Sequence, residues 1–141
     1  MNRFIFLLAI LYEVKSFCLN YTVQDVTTID GSYFSPDGST FATGSGHNTV
    51  NFWDKYNKTL KNTYNYGTWV DRVTYSKNGK YVAVVGGKTV VHIVNSTNYQ
   101  YIISLRPEGV GYYVLKADFR YDDKMLLICG SNNTIQFYNV P

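Results

Sequence analysis

An all-β fold made of repeated four-stranded antiparallel units, about three of them, follows from three observations. Residues 38–54, 79–95 and 123–139 (GSTFATGSGHNTVNFWD, GKYVAVVGGKTVVHIVN and DKMLLICGSNNTIQFYN) align without a gap. The aromatics Phe34, Tyr75 and Phe119 stand 41 and then 44 residues apart, and so do the dipeptides Trp53-Asp54, Val94-Asn95 and Tyr138-Asn139. Landmarks that move together, with the slack between units, mark structural repeats. Inside each unit the apolar period is two, as strands require. Val50 and Phe52 alternate with Asn51 and Trp53, Val91 and Ile93 with His92 and Val94, and Ile135 and Phe137 with Gln136 and Tyr138.

Each unit then reads in one order. A strand (Trp69 to Tyr75, Tyr112 to Phe119) ends in an aromatic and a polar turn such as Phe34-Ser35-Pro36-Asp37. A short apolar run follows: Phe41-Ala42-Thr43, Tyr81 to Val85 or Met125 to Cys129. Gly, Ser and Asn turns at Ser45 to Asn48, Gly86 to Lys88 and Gly130 to Asn133 fold that run back onto the alternating strand. A fourth strand follows where the chain continues, at Thr59 to Tyr64 and Tyr99 to Leu105. Four strands in about 40–45 residues make one blade of a β-propeller. Three blades do not close a ring, because propellers take about four to eight. The expected fold is therefore an incomplete propeller segment whose last blade lacks its outer strand.

The units resemble WD40 repeats. Trp69-Val70-Asp71-Arg72-Val73-Thr74-Tyr75-Ser76-Lys77-Asn78-Gly79 is similar to the family's WVxxVxFSPDG start, and Phe34-Ser35-Pro36-Asp37-Gly38 matches its later part. Thr49 to Asp54 (TVNFWD) is similar to its TVRVWD strand, and the likeness runs from about residue 25 to 139. It implies a buried chain of polar side chains in each blade: a Gly-His before the first strand, a Ser/Thr on the second, an Asp in the next turn and a Trp on the third. Here the Asp position holds His47, Lys88 and Asn132, the Ser/Thr position holds Thr43, Val84 and Ile128, and no Gly-His occurs. The expectation is that the network cannot form as the family builds it and that these degenerate blades depend more on apolar packing.

Approximate blades at 25–65, 66–106 and 107–141 leave residues 1–24, which have two readings. The repeat offset carried backward lands on Tyr12-Glu13, making Ala9 to Lys15 and Cys18 to Thr22 the outer half of an earlier blade. Alternatively, Asn2-Arg3, the apolar run Phe4 to Leu11 and Ser16-Phe17-Cys18 form a secretory signal peptide. The half-blade, which the frame favours, goes with an intracellular protein and the signal peptide with a secreted one. The run is too short to span a bilayer as a helix. Four N-x-S/T sequons, at Asn20, Asn57, Asn95 and Asn132, add little to secretion, since about two arise by chance.

A chain 45% apolar and 16% charged is folded rather than disordered. Its net charge of +3 is spread without a run of five like charges, which argues against nucleic acid as a partner. Cys18 and Cys129 make neither a disulfide framework nor a C-x-x-C pair. The two histidines, His47 and His92, have no metal spacing, and His92 takes the polar mid-strand slot of Asn51 and Gln136. Gly44 to Thr49 is glycine-rich but leads into a strand, so a hairpin turn rather than a phosphate loop is expected. Asp122-Asp123 occupies the ordinary turn position of Asn78-Gly79. No nucleophile, base and orienting residue suggest themselves, so no catalytic residue, cofactor or metal is expected.

What remains is an aromatic and basic set. Tyr64, Tyr66 and Trp69 lie in the connection into the second unit, and Arg106, Glu108 and Tyr112 in that into the third. The resemblance implies that these connections share one rim with the turns of His47, Lys88 and Asn132. The aromatics either seal the gap between blades or form a protein contact patch, a setting that enriches aromatics and Arg. The expected function is a non-catalytic protein–protein interaction module, a scaffold for other proteins or for copies of itself that complete the propeller. Two alternatives stand beside it. One is an exported propeller that binds a small molecule or acts as an enzyme, since Lys80 to Ala83 and Val91 to Asn95 also resemble YVTN-type repeats. The other is a truncated product without independent function.

Overall fold

The computed structural model describes residues 22, 24–25, 28–87, 89–109, 113–131 and 133–141. Both readings of the N-terminal segment fall on residues 1–24, nearly all of them outside the described ones. Eleven strands form three antiparallel sheets among the described residues. The first blade is β1 (Ile29–Phe34), β2 (Thr40–Ser45), β3 (Thr49–Asp54) and β4 (Leu60–Asn65), paired in that order. The second is β5 (Val70–Tyr75), β6 (Tyr81–Gly86), β7 (Val91–Asn95) and β8 (Tyr101–Leu105). The third has three strands, β9 (Val114–Phe119), β10 (Met125–Gly130) and β11 (Ile135–Asn139). The expected incomplete propeller segment is what the chain builds.

The blades stack face to face, and the stacking makes the core. Ala42, Val50 and Phe52 of the first blade meet Val73, Val82, Val84 and Val94 of the second in one buried cluster. Ala83, Val85, Val91 and Ile93 meet Val114, Ala117, Leu126 and Ile128 of the third in another. Successive side chains of a strand point to opposite faces. On β6, Val82 and Val84 therefore enter the first cluster while Ala83 and Val85 enter the second. This explains the unbroken Tyr81-Val82-Ala83-Val84-Val85 run: the second strand of the middle blade has no face left for water.

The polar turns repeat in detail. Asp37 accepts from Ser35 Oγ (2.6 Å) and Ser39 N–H (3.0 Å), and Asn78 accepts from Ser76 Oγ (2.8 Å) and Lys80 N–H (2.9 Å). Gly38 and Gly79 take φ of +67° and +74°, where a side chain would be strained. The third unit places Asp123 at the same left-handed position, φ +57°. Its turn is not ordinary. The Asp123 carboxylate, 9% exposed, crosses to the second blade and accepts the N–H groups of Lys77 (2.6 Å) and Asn78 (2.5 Å). Backbone strain is accepted at the turn, and a charge-assisted clasp between blades is gained. Asp123→Ala keeps the strained φ and removes both bonds, so it should cost about 1.5–3 kcal/mol. Asp123→Gly relieves the strain and should cost less. Urea midpoints in the order wild type, Gly, Ala check this, and equal midpoints would refute the clasp.

Candidate interaction rim

One rim of the stack is assembled by hydrogen bonds between each inter-blade connection and a hairpin turn. Gly46 N–H donates to Thr28 O (3.2 Å), Tyr66 N–H to Asn48 O (2.8 Å), Gly87 N–H to Trp69 O (3.0 Å) and Ser131 N–H to Tyr113 O (3.1 Å). The connections and the β2–β3, β6–β7 and β10–β11 turns thus lie together, held by main-chain groups that strands leave unpaired at their ends.

The sequence-derived candidates separate on this rim. Trp69 is 45% exposed, and its ring lies over Gly87, where a Cβ would come within 2.5 Å of Trp69 Cε2. His47 is exposed in the β2–β3 turn, whose backbone N–H donates to Ser45 Oγ (3.1 Å). Arg106 is exposed at the end of β8, and its carbonyl accepts from Tyr138 Oη (3.4 Å). Lys88 and Tyr112 lie outside the described residues.

Tyr66 is a correction: it is core, 1% exposed, and not a contact residue. Its N–H bond to Asn48 draws the ring between the first two blades, where Oη donates to Val90 O (2.8 Å). Burial raises the pKa of its phenol above the ordinary value. Tyr64 is half-buried and pairs its Oη with His92 Nδ1 at 2.7 Å. The His92 ring also meets the rings of Tyr66 (4.7 Å) and Tyr101 (5.4 Å) edge-on. His92 therefore serves a polar seam between strands and blades.

The expectation about the polar network needs a second correction. In the first blade Trp53 Nε1 donates to Thr43 Oγ1 (2.9 Å), and Thr43 Oγ1 donates to Asp25 Oδ2 (3.1 Å). Asn51 Nδ2 donates to Asp25 Oδ2 (2.9 Å), and Thr63 Oγ1 to Asn51 Oδ1 (2.8 Å). Asp25, four residues before β1, closes a partly buried chain without a Gly-His. The need for it shows only in the structure: Thr43 and Asn51 are cross-strand partners, 4% and 7% exposed, and buried polar pairs require a third group. The equivalent pairs in the other blades are Val84 with His92 and Ile128 with Gln136. Their second-strand members are apolar and join the core, so apolar packing does replace the chain there.

Across the inner strands, a concavity of about 620 Å³ is lined by Asp30, Asp71, Arg72, Lys77, Lys116 and Asp118. Partial burial, and then Asp30 nearby, raises the pKa of the Asp71 carboxyl, while Trp69 and Arg72 oppose the rise. Lys116 and Asp118 pair at 2.5 Å in solvent. Its charges balance, which gives no preference for an ion of either sign. Among the described residues no group of three or more His, Cys, Asp or Glu converges as metal ligands do, and no helix is long and apolar enough to cross a membrane.

Residues 15–54 match the family described as WD domain, G-beta repeat. The structure is similar to one described as the structure of U3-55K, with a TM-score of 0.77 and 15% identity. That likeness covers 83% of this chain and 37% of the other. It is also similar to the crystal structure of RRP9 WD40 repeats, with a TM-score of 0.76, 15% identity and the same two coverages. The blades have the fold of WD40 propeller blades. The chain thus spans little more than a third of the length of those two structures, and their likeness bears on fold alone. No curated protein matches its sequence. The Trp53–Thr43 bond and the Trp53-Asp54 dipeptide both lie within the residues that match the family model.

Proposed function

We propose that this chain is a non-catalytic protein-interaction module and that Trp69 anchors the contact. The carrying observation is a large aromatic, 45% exposed, on a rim whose backbone is held by bonds from both flanking turns. A rigid, half-exposed Trp loses little entropy on binding and brings a large apolar area, which is why Trp dominates contact energetics. His47 and Arg106 supply polar contacts from the same rim. Trp69→Ala should lower affinity for a protein captured by the wild-type chain by about 2 kcal/mol or more, with the fold unchanged by circular dichroism. Equal capture by both, or turnover of a small molecule by the pure chain, overturns the reading.

Self-association is the second reading, favoured by the outer face of the third blade. Leu115, Ile135 and Phe137 there are 55%, 59% and 63% exposed, on a sheet face of the kind buried at both blade junctions. The mass in solution tests it: a dimer supports association through this face, and a monomer removes it.

A further inference from the structure

The rim opposite Trp69 carries a second feature. Between the first two blades, the β1–β2, β5–β6 and β7–β8 turns enclose a cleft of about 560 Å³. Tyr75 lines it, and although Tyr75 is only 4% exposed, its hydroxyl makes no hydrogen bond of normal geometry, the Thr40 side chain being its neighbour. Burial pushes that phenol up to about 12, with Thr40 alongside easing the rise. A buried hydroxyl without a well-formed hydrogen bond is rare and marks this wall of the cleft.

The rest of the lining is rich in donors. Lys61 and Lys77 border the cleft, both exposed, and among the described residues neither makes an ion pair. Asn78, in the lining, spends its Oδ1 on Ser76 and Lys80, and its side-chain amide is a further donor there. Asp37 is the one carboxylate in the lining, and it is already saturated. It accepts from Ser35 Oγ and from both N–H and Oγ of Ser39, and these bonds hold its pKa down to about 2. Two ammonium groups against one satisfied carboxylate leave a net positive cleft whose unused groups donate. A neutral sugar would need acceptors, and the best acceptor here is taken. The volume exceeds what a bare oxyanion fills and falls within the range of small-ligand sites.

We propose that this inter-blade cleft binds a phosphate monoester, with Lys61 and Lys77 on the phosphoryl oxygens and the Tyr75 hydroxyl donating to the same group. Lysine suits phosphate as a point charge. The proposal is independent of Trp69 and of the partner reading, since it concerns the opposite rim. The phosphoryl group has two sources, a free small ester or a phosphorylated side chain of another protein.

The test uses the full chain with sodium phosphate against sodium chloride at matched ionic strength, so that general screening cancels. Phosphate should raise the melting temperature saturably, as a ligand of the folded state does. Lys61→Gln with Lys77→Gln should weaken phosphate binding by about ten-fold or more, as loss of charge-assisted bonds does. Tyr75→Phe should weaken it by about five-fold, the size of one hydrogen bond, with the fold intact by circular dichroism. Glycerol 3-phosphate and a phosphoserine tripeptide then separate the sources, the tighter of the two naming its class. No stabilisation beyond that of chloride, or unchanged binding in either variant, overturns the site.

Discussion

Gly86→Ala should destabilise the chain by about 3 kcal/mol or more, the upper range for overpacking a close-packed interior. A Cβ on Gly86 would stand 1.9 Å from Trp69 O and 2.9 Å from Val70 Cα. Both are backbone atoms, so no side-chain rotation relieves the clash. The close approach arises because β5 shifts register between Val70 and Arg72 where it pairs with the end of β6. The main chain there must move, and the bond from Gly87 N–H to Trp69 O moves with it. Gly38→Ala is the control: nothing lies within 4 Å of its Cβ, but its φ is +67°. That strain alone should cost about 1 kcal/mol. Urea unfolding separates the two, and a Gly86→Ala midpoint at or above that of Gly38→Ala would refute the close approach.

Phe52→Ala should cost about 3–5 kcal/mol, as removal of a fully buried phenylalanine does. Phe52 is 0% exposed, lies between Ala42 and Asn62 in the sheet, and meets the Tyr99 ring at 4.5 Å across the junction of the first two blades. With native stabilities of about 5–15 kcal/mol, this removes a large share of the total. A fall in melting temperature of about 10 °C or more is expected for a chain of this size. Phe137→Ala is the contrast, because Phe137 is 63% exposed on the outer face of the third blade. It should change stability by less than about 1 kcal/mol. Equal losses at the two sites would show that the third blade's outer face is covered in solution.

Legibility of this molecule followed the range of the interactions. The period-two strands and the turns at Ser35, Ser76 and Arg120 were readable because each rests on residues close in sequence, whereas the shared rim followed only from the resemblance to WD40 repeats. Asp25 was not. Its partners Thr43 and Asn51 lie 18 and 26 residues away, and no local pattern ties a lone acid to them. Asp123 read as an ordinary turn residue for the same reason, since its acceptor role reaches back 46 and 45 residues to Lys77 and Asn78. Tyr66 and Trp69 fall in one short connection, and composition alone could not assign one to the core and the other to solvent. Main-chain bonds to two different turns made that choice. The Tyr75 hydroxyl likewise draws notice only once its burial and its want of a well-formed hydrogen bond are both visible.

By itself the sequence determined the repeat, the strand order within each blade and, away from the register shifts, the face on which a side chain stands. Those follow from a backbone that alternates its side chains and turns where glycine, proline and asparagine allow. The tertiary structure alone decided what each face meets. Phe52 and Phe137 hold the same slot in TVNFWD and TIQFYN, yet one is sealed and the other faces water. Burial belongs to a pair of surfaces rather than to a residue, and only the stacked neighbour supplies the second surface.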